Sequence, residues 1–211
     1  MRMKKIGLLG LALVLALALT GAAFAHWSDY VQIDGTVEMG EVIFGIQEPV
    51  VCSDNEATVV PSKEVGNVTC TLSDFTTSVH HDPVQTVGHE LDILIENAYP
   101  SYEATCEFNL KNAGTIPVIT DLVEIYDPSV PPALTYNSTA GGFVDADGLL
   151  VLNFDFEKFV GGVWVSVTVD QQFEPCTDVP ARIVVHVKQD AEECHTYYFK
   201  VRVEVIQWNL A

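Results

Sequence analysis

Tyr102-Glu103-Ala104-Thr105-Cys106-Glu107-Phe108-Asn109-Leu110-Lys111 is the stretch that decides the fold class. Its even positions carry Tyr, Ala, Cys, Phe and Leu, and its odd positions carry Glu, Thr, Glu, Asn and Lys. Successive side chains of a strand point to opposite faces, so this period of two describes a strand with one buried and one wet face.

The same pattern extends outward in both directions. Leu149–Phe156, Val163–Phe173 and Ala181–Lys188 read as strands, and Tyr197–Trp208 places Tyr, Phe and Val on odd positions against Lys200, Arg202 and Glu204 on even ones. Asn112-Ala113-Gly114 reads as the turn of a hairpin joining Tyr102–Lys111 to Thr115–Tyr126, and Gln189–Glu193 as the turn between the last two strands. Gly141-Gly142, Asp147-Gly148 and Gly161-Gly162 punctuate the middle of the chain, while Ser53–Gly66 and Asp127–Gly148 read as long loops. Nine or ten short strands with frequent turns predict an all-β protein, a β-sandwich of jelly-roll or immunoglobulin-like type. No internal repeat and no long amphipathic helix interrupts the pattern.

Composition narrows the possible partners. The 211 residues contain 10 Lys+Arg and 29 Asp+Glu, and 48% are hydrophobic, enough for a substantial core. Arg2, Lys4 and Lys5 are the only charges of the first 25 positions, so the rest of the chain holds 7 basic and 29 acidic groups. A chain this acidic repels nucleic acid and anionic lipid.

The N-terminus has the order of a secretory signal peptide: basic Met1–Lys5, apolar Ile6–Thr20, then Ala23-Phe24-Ala25 as a small-x-small cleavage site. Cleavage after Ala25 is the expectation. The rival readings are a retained membrane anchor spanning Ile6–Ala25 and a pilin-like leader cut after Gly7 or Gly10. With no second apolar span, the mature chain is expected to be secreted or at the cell surface without a membrane span. The expected organisation is a signal peptide over 1–25, an N-terminal strand over 26–40 and a β-sandwich domain over 41–211.

That N-terminal strand is unusually placed. Trp27, Val31, Ile33 and Val37 alternate with polar residues at the very start of the mature chain, where termini ordinarily fray unless tied down. Either the strand pairs within its own domain, or it leaves and completes the open sheet of a neighbouring copy. Repeated head to tail, the second arrangement builds a filament from identical subunits.

Several short motifs occur in a telling order. Ala25-His26-Trp27-Ser28-Asp29 is followed by Gly35-Thr36-Val37-Glu38-Met39-Gly40-Glu41-Val42. Asn97-Ala98-Tyr99-Pro100 and Asn112 to Pro117 come next, and Val185–Glu192 through Tyr197-Tyr198-Phe199 to Gln207-Trp208-Asn209 closes the chain. This order resembles the TasA/camelysin family of secreted fibre proteins, including archaeal bundling-pilus subunits. The resemblance implies a jelly-roll domain that polymerises, as a pilus or biofilm-matrix fibre, by donating its N-terminal strand. The cysteines and the insertion around Cys52–Cys70 depart from the family pattern.

Cys52, Cys70, Cys106, Cys176 and Cys194 all follow the leader, where disulfides are permitted. Cys52 and Cys70 bracket the first long loop and are the favoured pair; closing it stabilises by roughly 3 kcal/mol in the chain-entropy model. Cys106 falls on the apolar face of its strand, consistent with a small buried hydrophobe. Asn67-Val68-Thr69 and Asn137-Ser138-Thr139 are sequons, making Asn67 and Asn137 candidate glycosylation sites.

Chemistry is sparse. Some members of the family carry a metallopeptidase label, and His80, His81, His89 and Glu90 cluster within eleven residues. A zinc hydrolase requires two His one helical turn apart with a Glu between them, and no His-Glu-x-x-His occurs. These four are therefore weak metal candidates, and no catalytic residue and no cofactor is expected. Asp145-Ala146-Asp147-Gly148 resembles the start of a calcium loop, but its twelfth position is Phe156 rather than Glu, so it reads as a turn. The functional expectation is a structural filament subunit. The alternatives are a monomeric cell-surface adhesion or binding module and, less well supported, a camelysin-like metallopeptidase.

Overall fold

The computed structural model describes residues 7–8, 10–18, 40–56, 65–78 and 83–210. The chain forms two compact units, Met1–Met39 and Gly40–Ala211. In the first, residues 7–8 and 10–18 are helical and exposed. No helix among the described residues is long and apolar enough to cross a membrane. Trp27, Val31, Ile33 and Val37 lie outside the described residues, as do His80 and His81.

The second unit is all-β. Its strands are β1 (Phe44–Asp54), β2 (Asn67–Ser78), β3 (Gln85–Ala98), β4 (Glu103–Asn112), β5 (Val118–Tyr126), β6 (Thr135–Asn137), β7 (Gly142–Val144), β8 (Leu150–Val160), β9 (Val163–Ser166), β10 (Gln172–Phe173), β11 (Asp178–Val187) and β12 (His195–Gln207), followed by a single 3-10 turn, Trp208–Leu210. They form one open, curled antiparallel sheet in the order β10-β5-β12-β3-β1-β4-β11-β8-β7-β6, with β2 on β3 and β9 on β8. A single bridge, Ile46 opposite Gly88, joins β3 to β1. On one side of that bridge lie β2, β3, β12, β5 and β10, and on the other the remaining strands.

The two halves turn their apolar faces to one another. The alternation of β4 buries Ala104, Cys106, Phe108 and Leu110, and that of β12 buries Tyr197, Phe199, Val201 and Val203. Phe199 of β12 meets Phe143 of β7 at 5.4 Å and Phe154 of β8 at 5.8 Å between ring centroids. At the other end of the sheet Phe44 of β1 meets Phe173 of β10 at 4.8 Å. Aromatic pairs at such separations add about 0.5–1.5 kcal/mol each beyond the area they bury.

Two expected hairpins are not formed. β4 pairs with β1 and β11, whereas β5 pairs with β10 and β12. The Asn112–Pro117 segment therefore carries the chain from one half to the other. The connection between β11 and β12 does the same, because β11 pairs with β4 and β8 and β12 pairs with β3 and β5. Alternation assigns each residue to a face but is silent about which strand lies alongside. The region 127–148 is also more ordered than a loop, since β6 and β7 form within it. A tight hairpin does form at Gly161-Gly162, where both residues have positive φ (61° and 92°) and Val160 pairs with Val163. A two-residue turn of that kind matches the twist of the strands it joins.

The chain enters this unit against the Asn112 crossover. Thr115 N donates to Glu41 O at 2.9 Å, Ala113 N to Ile43 O at 2.8 Å, and Glu41 N to Thr115 Oγ1 at 2.7 Å. A Cβ at Gly114 would collide with the Glu41 carbonyl, so close approach requires glycine there.

Candidate functional site

The curled sheet does not close, and its opening lies beside β5. On one side β5 is paired with β12 from Val118 to Tyr126. On the other, β10 covers only Val118 and Ile119. Buried Thr120 fastens the incoming segment: its Oγ1 donates to Thr168 O at 2.7 Å and accepts from Gln171 N at 2.9 Å. From Asp121 to Tyr126 no strand among the described residues pairs with this edge. An unpaired edge is a template for another strand.

Just past the end of β5, from Asp127 on, sits a mainly apolar cavity of about 220 Å³, whose walls include Leu134, Phe143, Tyr197 and Phe199. Phe143 and Phe199 belong to the core, so the cavity reaches down to it. Its rim is held by Asp127. One carboxylate oxygen accepts from Ser129 N at 2.9 Å and from the Ser129 hydroxyl, and the other from Ala133 N at 2.8 Å and Leu134 N at 3.1 Å. Burial works to raise the Asp127 pKa, but these donors outweigh it and hold the carboxyl below its ordinary range. The cavity lies at the start of β12, while Trp208 N, just past its end, donates to Pro117 O beside the chain's point of entry. The two features are thus separated by the length of a 13-residue strand, about 40 Å at the usual rise per residue.

The outward face of β2, β3, β5 and β12 carries a polar network. Lys200 Nζ is bonded to Glu90 and lies 2.9 Å from Asp92 Oδ1. Tyr126 donates to Glu90 at 2.9 Å, Tyr198 to Asp92 at 2.7 Å and Ser73 to Asp92 at 3.0 Å. The Lys200 bond is the main cause holding the Glu90 pKa down. For Asp92 burial works upward, but the bonds from Tyr198, Lys200 and Ser73 prevail and the pKa is lowered. The two carboxylates in turn hold the Lys200 ammonium well above its ordinary value.

No known protein family, curated protein or solved structure gives a significant match to this chain. His89 and Glu90 occupy opposite faces of β3: the His89 ring meets Thr76 Oγ1 at 2.8 Å, whereas Glu90 joins the Lys200 network. Asp145 closes a turn, accepting from Asp147 N and Leu149 N at 2.9 Å each. Asn67 and Asn137 are both exposed, at the start of β2 and the end of β6.

The cysteine pairing differs from the expected one. Cys70 is bonded to Cys106, not to Cys52. Cys106 points inward between the halves of the sheet, and Cys70 of β2 reaches it from the facing edge, with Cα atoms 6.7 Å apart. Cys52 is the register partner of Cys106 in the β1–β4 ladder. Chain spacing favours the Cys52–Cys70 loop because it counts residues and does not register that Cys106 of β4 lies within reach of Cys70. The opening beside β5 was likewise invisible in sequence; Asp127, followed by Pro128, Pro131 and Pro132, was its one local sign.

Proposed function

We propose that this protein is a secreted, non-catalytic structural subunit of an extracellular filament, with a jelly-roll-like β-sandwich domain. In this reading the strand around Trp27–Val37 of one copy, freed by removal of the 1–25 leader, fills the opening beside β5 of the next. The observation that carries the proposal is the Asp121–Tyr126 edge, which no described strand pairs, followed directly at Asp127 by a cavity lined by Phe143 and Phe199. Its distance from the chain's entry at Gly40 suits head-to-tail propagation. A contact between two different surfaces of the same subunit generates an open polymer unless rotation closes it.

The resemblance of its motif order to the TasA/camelysin family supports the same reading, as does the amphipathic pattern of the N-terminal segment. Burying Val31, Ile33 and Val37 would contribute roughly 5 kcal/mol, and main-chain pairing along β5 adds modest further terms. The separation of His89 from Glu90 across β3 supports a non-catalytic role.

Electron microscopy of the purified mature protein tests the proposal. Filaments from the intact chain and none from a chain lacking residues 26–37 are expected. A soluble monomer from the intact chain at all concentrations would favour the adhesion-module alternative.

A further inference from the structure

Three cysteines from three different strands converge at the edge where β1 faces β2. The sulfurs of Cys52, Cys70 and Cys106 all lie within 4.8 Å of one another. Cys70 and Cys106 share a disulfide, and Cys52 carries a thiol. The surroundings of the three sulfurs are unequal. Cys106 is 1% exposed in the core, while Cys52 and Cys70 are half-buried. Cys70 also lines a cleft of about 310 Å³ with Glu48, Pro49, Val50, Thr71 and Leu72.

We propose that these three residues form a thiol–disulfide relay in which Cys52 displaces Cys70 from Cys106. In the step, the Cys52 thiolate attacks the Cys106 sulfur, the Cys52–Cys106 bond forms, the Cys70–Cys106 bond breaks, and its electron pair leaves as the Cys70 thiolate. The proton lost by Cys52 is recovered at Cys70, so the exchange is an isomerisation that needs neither oxidant nor reductant.

The direction of attack follows from the leaving group. Attack on Cys70 would expel a thiolate at Cys106, inside the apolar core, where a charge is strongly penalised. Attack on Cys106 expels it at Cys70, beside an open cleft. The product is also compatible with the ladder, since directly opposed residues of an antiparallel pair lie about 4.5–5.5 Å apart, within the range a disulfide spans. Burial raises the Cys52 pKa, partly offset by a backbone hydrogen bond from Cys70, so the exchange accelerates as pH rises through the thiol range. Its structural consequence is to move the cross-link from the facing strands β2 and β4 to the adjacent strands β1 and β4, removing the covalent tie of β2 to β4 while β2 stays paired with β3.

The test is disulfide mapping of the full-length protein purified without reductant. Samples held between pH 6 and pH 9 are acid-quenched, unfolded, alkylated with N-ethylmaleimide and digested for mass spectrometry. Alkylation is expected at both Cys52 and Cys70, with Cys52–Cys106 and Cys70–Cys106 peptides both present and interconverting faster at the higher pH, independently of protein concentration. Cys70→Ser is expected to convert the bridge to Cys52–Cys106. The relay is overturned if the wild-type protein gives Cys70–Cys106 alone, with Cys70 never alkylated, under all conditions. A Cys52–Cys70 bridge as the second linkage would also overturn it.

Discussion

The side chain of Asn112 donates to the carbonyl of Phe173 at 3.0 Å, tying the end of β4 to the strand that carries the Phe44–Phe173 contact. Asn112 is fully buried. Its amide also donates to Ile116 O at 2.9 Å, and its oxygen accepts from Gly114 N at 3.0 Å. One side chain thus braces the crossover between the halves and ties it to Phe173 at the end of β10. Asn112→Leu removes all three bonds and takes this donor from the carbonyls of Ile116 and Phe173, while Gly114 N keeps Ile43 O at 3.0 Å. With each buried orphan costing about 1–3 kcal/mol, a loss of about 2 kcal/mol or more is expected in urea unfolding, and a variant within 1 kcal/mol of wild type would contradict this role.

Acid should weaken the protein partly through the Lys200 network. The Glu90 and Asp92 pKa values are depressed, so these groups bind fewer protons in the folded than in the unfolded chain. Their stabilisation is fully present above the unfolded carboxylate range, about pH 4, and is lost as pH falls through the folded values. Lys200→Met is expected to lower the melting temperature at pH 7, with the gap from wild type closing as pH approaches 3. A gap unchanged across that range would mean that Lys200 acts only through packing.

Assembly should be blocked from either partner's side. In the proposed polymer, Ile33→Asp places a charge on the inserted strand, and Leu134→Arg places one at the rim of the cavity. Each variant is expected to remain folded by circular dichroism and to fail to form filaments. Mixed together they should still fail to extend beyond dimers, because one lacks a competent strand and the other a competent opening. Long filaments from Leu134→Arg alone would remove the β5 opening from the mechanism.

Export is checked by the mass of the mature N-terminus. Cleavage after Ala25 leaves His26 first and Trp27 within reach of a neighbour. A mature chain beginning at Leu8 or Leu11 would retain the apolar segment and place assembly in the pilin-like class.

The faces of the strands were legible in sequence, and their partners were not. In β4 and β12 the apolar positions chosen by alternation are the buried ones. Yet both hairpins drawn between consecutive strands were wrong, because the intervening segments cross between halves of the sheet. Period-two patterning reports only the environment of each side chain, and consecutive strands pair in some places, as β8 and β9 do across Gly161-Gly162, and part in others, as β4 and β5 do.

What the sequence by itself determined is the all-β character, the core faces, the excess of acidic charge and the leader-like N-terminus, since each depends on residue type and local order. Tertiary structure alone decided that Cys70 bonds Cys106, that β4 pairs with β1 and β11 rather than with β5, and that no described strand pairs with the outer edge of Asp121–Tyr126. Each of these depends on which distant segments share a few ångströms of space. That is set by how the whole sheet curls to bring Phe143, Phe154 and Phe199 together, a collective packing solution that no local pattern encodes.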